Sequence, residues 1–530
     1  MKLFRSYPYP QNRRACVIAL ALLAITGSMV VAAPSAAPRS RTAAEFRRLA
    51  EMAVLQGRYA DAAANYRAEA AVYDRLGDAN AATVERLKAD RWDTRIGIYV
   101  ESAQDRKELK KSFTAAKYEP AYGCYFSAFV GNDALLGDGG SQWHGEGALF
   151  ASRAAQLGKL LAKPLACSWV YCRYGQPFPL AWAKSLKKYG IVPQVAWEPD
   201  YGLESVQDND YLHRFARDIA DVGGPVFIRF AGEMNGTWTS YHDDPKLYRT
   251  KFRLLHDIFE VEAPNAAMIW CVNSLPDNNY DLYYPGDDVV DWVGINVYTV
   301  VHHDNDPQRP AALEHPTALI RKLYDRYSAR KPIAVCEFGA SHQEKLNSSK
   351  DYSDVAAAKI ATFFTALPRQ FPRIKMVGIF DSNNLISPDV MPSRRLNNYC
   401  VTDSQLVLKT LQRSLASDYF LPRVVTTAID APSKAIRPLG PTSVLVPPVT
   451  ITSSVESYEL FPTVVTLLDG VTIGRATQPG DHGVSLTPSG LSPGRHQVEV
   501  QVYDSQKRLA GKSQVDFTVV TPNSESASKE

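Results

Sequence analysis

Eight short apolar runs, each followed by polar or helical sequence, occupy the middle of this 530-residue chain. They are residues 123–129, 166–171, 193–197, 226–230, 267–272, 292–297, 333–337 and 376–380. Between them, 147–161, 179–189, 208–222, 245–260, 316–328 and 352–367 read as helices. Strand and helix alternating over roughly 300 residues predict a parallel sheet with crossover helices. Eight such units make an α/β fold of the (β/α)8 TIM-barrel kind. A doubly wound open sheet is the alternative. It would want a Gly-rich phosphate turn after its first strand, and the chain has no GxGxxG or GxxxxGK[ST] string. No cofactor is expected.

The flanks differ from the middle. Lys2, Arg5, Arg13 and Arg14 precede an apolar run at 15–31 that ends in Ala32-Ala33-Pro34. This is the pattern of a signal peptide over 1–33, predicting export to the periplasm or beyond. Left uncleaved, the run would anchor the chain in a membrane. Residues 41–93 are helical in pattern, and GRYADAAANYRAEA at 57–70 resembles one tetratricopeptide hairpin. One and a half such repeats cannot form a solenoid, so the hairpin reads as a cap on the barrel expected over 94–420. Residues 421–442 read as a linker. Over 443–521, short alternating strands and turn glycines predict a small immunoglobulin-like β-sandwich, without a disulfide because it holds no Cys. The polar tail, 522–530, is expected to be disordered.

The formal net charge is only +3, with both signs mixed along the chain. That gives no argument for a nucleic-acid partner or an acidic membrane, so no nucleic acid and, after leader cleavage, no membrane is expected as a partner. Protein docking through the hairpin or the sandwich is a further partner class. Of the seven cysteines, Cys16 lies in the leader, and the pairing of the other six is left open. Cys167 and Cys172 have opposite strand parity, which disfavours a disulfide between them. No His/Cys spacing reads as a zinc site, and His302, His303, Asp304 and Asp306 read as a solvated loop, so no metal is expected.

Chemistry is concentrated where two strands stop. Residues 224–241 read GPVFIRFAGEMNGTWTSY, an apolar strand that ends in Arg229, Glu233, Asn235 and Trp238. Residues 331–342 repeat the form, with Glu337 at the end of the run. Catalytic groups of a TIM barrel sit at the C-terminal ends of its strands. Two carboxylates placed there are what retaining glycoside hydrolysis requires.

RFAGEMNGTW (229–238), WVGINVY (292–298), EFG (337–339) and Trp197-Glu198-Pro199 resemble glycoside hydrolase family 26, over residues 120–415. The resemblance implies Glu233 as general acid/base and Glu337 as nucleophile, with Tyr298 and Arg229 supporting the charge of Glu337. Substrate contacts are expected from Trp197, Glu198, Trp238 and Phe380, and from Asn235 unless its side chain caps the following turn instead. Tyr201, Tyr241 and Trp143 are further candidates for cleft walls. Two positions depart from the family pattern: Gly232 stands where His is usual before the acid/base, and Phe380 stands nearest to the usual Trp of the last strand. Both touch the subsite of bond cleavage. The implied function is an exported, endo-acting, retaining hydrolase of a β-linked polysaccharide. β-Mannan comes first, with mixed-linkage β-glucan, β-1,3-xylan and bacterial exopolysaccharide behind. The alternative from another class is a carbohydrate-binding or exopolysaccharide-assembly protein on the same fold.

Overall fold

Three helices open the described chain: α1 (Ala43–Leu55), α2 (Tyr59–Arg75) and α3 (Ala79–Arg91). The computed structural model describes residues 41–103, 114, 116–136, 147–425, 433–480, 482–487 and 491–520. The expected leader, Trp143 and the expected tail lie outside these. Buried alanines at 50, 53, 62, 63, 70, 82 and 89 line the contacts between the three helices. The buried Glu69 is held by Arg47 at 2.6 Å. The next element is the strand β1 (Arg95–Ser102).

The barrel follows. Its strands and helices are β2 (Cys124–Val130), α4 (Gly147–Leu160), β3 (Cys167–Arg173), α5 (Leu180–Lys187), β4 (Val192–Glu198), α6 (Asp210–Ala220), β5 (Val226–Phe230) and α7 (Pro245–Glu262). Then come β6 (Ala266–Asn273), β7 (Trp292–Thr299), α8 (Ala318–Tyr327), β8 (Ile333–Ala340), the short β9 (Gln343–Glu344), α9 (Ser353–Gln370), β10 (Ile374–Asp381), the short β11 (Asn397–Asn398), α10 (Gln405–Leu415) and β12 (Phe420–Leu421). The eight strands β2 to β8 and β10 pair in order and in parallel, and β10 closes on β2 with Asp381 opposite Val130. The expected TIM barrel is therefore present. Strands buried on both faces need apolar residues at nearly every position. Outward side chains such as Val195, Ile228 and Phe338 pack on the helices. Inward ones such as Tyr125, Phe227, Trp292 and Met376 fill the lumen. Side-chain caps start α6, α7 and α10, with Asn209 accepting from the Leu212 N–H, Asp244 from the Leu247 N–H and Ser404 from the Val407 N–H. The short pair β9–β11 lies beyond the ends of β8 and β10, on the side where the strands finish.

After the barrel come β13 (Ala435–Pro438), β14 (Val444–Leu445), β15 (Val449–Glu456), β16 (Thr463–Leu468), β17 (Val471–Ala476), β18 (Val484–Leu486), β19 (Gly494–Tyr503) and β20 (Leu509–Val519). They form two sheets, β13-β1-β15-β18 and β14-β20-β19-β16-β17. Ile98, Val100, Ile451, Val464, Val498, Val500 and Phe517 join them in one apolar core, so the pair is a β-sandwich. Here the boundary expected at residue 94 is corrected. β1 does not open the barrel: it lies between β13 and β15, antiparallel to both. The physical reason is its inward side chains, Ile98 and Val100, whose apolar partners all lie in the C-terminal sheets. Likewise 435–438, expected as linker, is a strand. The sandwich meets the barrel along α9, where Arg369 donates to Thr452 Oγ1 at 3.1 Å and pairs with Glu101 at 2.7 Å. Among the described residues no helix is long and apolar enough to cross a membrane. The six described cysteines are free and buried.

Candidate active site

The loop after β5 is tightly held. Ala231 (φ 46°) and Glu233 (φ 60°) both adopt left-handed backbone, which costs an L-residue energy and persists only where its surroundings enforce it. Those surroundings are on hand. The Ala231 N–H donates to the Trp197 carbonyl at 2.9 Å, and the Glu233 N–H to the Cys271 carbonyl at 3.0 Å. Asn235 donates to the carbonyls of Asn273 and Pro276, both at 2.8 Å, and accepts from the Asn273 N–H at 2.9 Å. Glu233 is thus aimed across the mouth. Its Oε1 accepts from Asn273 Nδ2 at 2.9 Å and Asn296 Nδ2 at 2.7 Å, and its Oε2 from Trp238 Nε1 at 2.8 Å. Trp238 reaches back to its own loop only because Gly236 lacks a side chain; a Cβ there would lie 2.3 Å from the indole.

Glu337 is aimed by a β-bulge. Ile295 of β7 faces Val335, but the next residue, Asn296, faces Glu337, so Cys336 is the extra residue. β10 records the same slip, with Val377 opposite Val335 and Ile379 opposite Phe338. Val335 and Phe338 still point outward into the helix layer. Cys336 and Glu337 therefore both turn to the lumen, which strict alternation would forbid. There the Glu337 carboxylate meets Arg229 Nη2 at 2.5 Å, accepts from the Tyr171 hydroxyl at 2.7 Å, and accepts from the Tyr298 hydroxyl. Burial is the largest influence and works against a charged guanidinium, but the Glu337 carboxylate, with Cys271, Tyr171 and Cys336 adding to it, outweighs burial and holds Arg229 well above its ordinary value. Burial first, and then the charge of Glu337, push Tyr171 and Tyr298 well above the usual phenol range, so both stay protonated donors. Arg229 Nη1 also donates to Asn296 Oδ1 at 3.3 Å. One chain of contacts therefore runs Glu233–Asn296–Arg229–Glu337.

Aromatic rings floor the mouth. Phe380 stacks on Phe129 at 5.0 Å and meets Tyr298 edge-on at 5.6 Å. A third carboxyl, Glu198, stands near Glu233 at the end of β4. Burial raises it to about 8, with the Glu233 charge adding to the shift while Tyr241 and Arg229 oppose it. Tyr241 contacts both Glu198 Oε2 and the Gly232 carbonyl, yet has one proton to give. With Glu198 protonated, Glu198 donates to Tyr241 and Tyr241 donates to Gly232, which further pins the strained loop.

Of the residues singled out in the sequence, Glu233, Glu337, Arg229 and Tyr298 come together. Trp238 is 42% exposed beside Glu233, and Phe380 is buried against Phe129, Tyr298 and Tyr399. Two substrate contacts are corrected. Trp197 is fully buried and faces the helices, stacked on Phe215 at 3.9 Å. Asn235 is 1% exposed and its amide is spent on the backbone. Tyr241, expected as a cleft wall, is likewise buried. Tyr201 is exposed, with Arg173 over its ring at 6.0 Å. His302 and His303, expected in a solvated loop, contact the carboxylates of Glu344 and Glu314. Sequence reasoning missed Tyr171, Asn273 and Asn296. Each is a polar residue at or near the C-terminal end of a barrel strand, and Asn296 shares its face with Tyr298 by strand alternation.

A family model described as Glycosyl hydrolase family 26 matches residues 204–330. That span contains Arg229, Glu233, Asn273, Asn296 and Tyr298 and stops short of Glu337. A β-1,3-xylanase (TXYA) of a Vibrio species is 29% identical over 97 residues, which is 17% of this chain and 21% of that protein. Endoglucanase H of Acetivibrio thermocellus is 28% identical over 177 residues, 30% of this chain and 19% of that protein. The chain thus spans about a fifth of the length of these curated relatives. Among solved structures, a family 26 β-mannanase from Bacteroides ovatus aligns at 14% identity with a TM-score of 0.38, covering 62% of this chain and 95% of that one.

Proposed function

We propose that this chain, whose residues 204–330 match the Glycosyl hydrolase family 26 model, is an exported retaining glycoside hydrolase that cuts within a β-linked polysaccharide. The observation that carries this reading is the contact chain from Glu233 through Asn296 and Arg229 to Glu337, which ties two strand-terminal carboxyls across one barrel mouth. In the proposed reaction Glu337 attacks the anomeric carbon and forms a glycosyl ester, while Glu233 protonates the departing oxygen. Water, deprotonated by Glu233, then releases the sugar with retained configuration. Arg229, Tyr171 and Tyr298 hold Glu337 in place and carry its charge until attack. Proton delivery needs Glu233 Oε2 free, since Oε1 already accepts from two amides; the sugar therefore displaces the Trp238 N–H as it enters.

β-Mannan heads the substrates, with mixed-linkage β-glucan, β-1,3-xylan and bacterial exopolysaccharide behind; the name of the β-1,3-xylanase relative supports the xylan. Reducing-end release should be measured on galactomannan, glucomannan, lichenan and β-1,3-xylan, with Glu337→Ala beside the wild type. One glycan is expected to be cut, and the variant should lose at least about a thousandfold in kcat while still binding it. Equal turnover by the variant would remove Glu337 from the nucleophile role. Binding without cleavage by the wild type would favour a carbohydrate-binding or assembly protein instead.

A further inference from the structure

We propose that Asp133, Asp381 and Cys400, joined by the Thr402 hydroxyl, hold one structural divalent cation of the zinc class at the seam where the barrel closes. The three residues come from three separate segments. Asp133 follows the first barrel strand, Asp381 ends the last, and Cys400 lies in the return segment between β11 and α10. One donor atom from each falls within 4.8 Å of the others, and all three residues are fully buried.

The charge balance points to a cation. Among the described residues neither Asp133 nor Asp381 forms an ion pair with Lys, Arg or His. Buried carboxylates must be paired, bound to a metal, or neutralised by a proton. Their hydrogen bonds leave one oxygen over. Asp133 Oδ1 accepts from the N–H groups of Leu135 and Leu136, at 2.8 and 2.9 Å, and Oδ2 accepts from Thr402 Oγ1 at 2.8 Å. Asp381 Oδ1 accepts from the Val401 N–H at 2.7 Å. Asp381 Oδ2, fully buried, has no hydrogen-bond partner. Cys400 Sγ lies 3.3 Å from Thr402 Oγ1, and its backbone is fixed by a bond from the Cys400 N–H to Asn398 Oδ1 at 2.9 Å. Backbone N–H groups thus orient both carboxylates from behind, as outer-shell donors do around a metal.

The donor set selects the ion. Two carboxylate oxygens with a thiolate suit Zn²⁺ and are a poor cage for Mg²⁺ or Ca²⁺, which prefer oxygen alone. Binding would release the thiol proton of Cys400 and any proton shared by the two carboxyls. That shared proton is the competing solution. Burial, and then the neighbouring Asp133 charge, push Asp381 well above the usual carboxylate range, so without a cation the pair would hold one proton between them. The Cys400 thiol is hydrogen-bonded to Asp381 even then; what a cation adds is a single centre that uses one donor atom from each of the three side chains as a ligand. No local motif announces the site, because its ligands stand at 133, 381 and 400.

The test uses the full purified chain, freed of loose metal on a chelating resin and assayed by mass spectrometry for metal content. About one Zn²⁺ per chain is expected, with a melting midpoint that falls on prolonged chelation and recovers with added Zn²⁺. Co²⁺ loaded in its place should show a thiolate charge-transfer band that Cys400→Ser abolishes. Asp381→Asn keeps a donor for Asp133 but removes a ligand, and should bind no metal and melt lower. The proposal is overturned if wild type holds only trace metal and added Zn²⁺ leaves its midpoint unmoved, whatever the midpoint of Asp381→Asn. That set of results would leave a shared proton only.

Discussion

Glu198 and Trp197 are neighbours in sequence with opposite fates. On a strand, adjacent side chains point to opposite faces, so placing Glu198 at the mouth sends Trp197 into the helix layer. The mouth-side residue carries a pH prediction. Its carboxyl is raised to about 8 in the folded chain against about 4.5 when unfolded, so the folded state keeps the proton across that interval. The stability this contributes is complete below 4.5 and is lost as pH climbs through 8, on the order of a few kcal/mol. Urea midpoints at pH 5.5 and 8.5 check it: Glu198→Gln should flatten the decline that wild type shows, and an equal decline in both would reject it. At this scale much of the site was legible, because a Glu at the end of an apolar run is rare enough to stand out. The tryptophan platform was misassigned because an aromatic next to a catalytic motif looks the same whether it faces sugar or core. Parity, applied to residues 197 and 198, separates the two.

At the scale of elements, every barrel strand was visible in the sequence, because strands buried on both faces are apolar at nearly every position. The same continuity hid the bulge in β8. Residues 333–338 read IAVCEF, with no polar alternation to break, so nothing marks Cys336 as supernumerary. The bulge needs open space opposite it, and β10 supplies that at Gly378. A Cβ there would lie 2.7 Å from both the Cys336 carbonyl and the Trp169 ring. Gly378→Ala should therefore destabilise by about 1–3 kcal/mol, and lower activity more than its stability loss accounts for, by shifting the strand that presents Glu337. Thermal melting and kcat on one preparation test this; an unchanged midpoint would show that the barrel yields easily there. β1 was misplaced for a related reason. Alternation in RIGIYVES marks a strand but says nothing of partners that begin at residue 435.

At the scale of the molecule, the barrel lies between two parts of one sandwich. Ending the chain at residue 425 removes both of β1's partners and bares Ile98 and Val100. An unpaired edge beside exposed apolar side chains invites association. Such a truncation is expected to aggregate and bind a hydrophobic dye, and also removing residues 41–113 should restore a soluble barrel. Size-exclusion chromatography and dye fluorescence of the two truncations decide it; a monodisperse, dye-silent first truncation would show that β1 does not need its sheet. The same arrangement bears on how the protein is made. β1 leaves the ribosome early, yet its first partner strand begins only at Ala435, after the whole barrel has been synthesised. During that interval the barrel can fold while the sandwich cannot, so completion of the sandwich is a late event that reports a finished barrel. A protease that cuts at an unpaired strand would then remove molecules whose synthesis stopped short of β13 and β15.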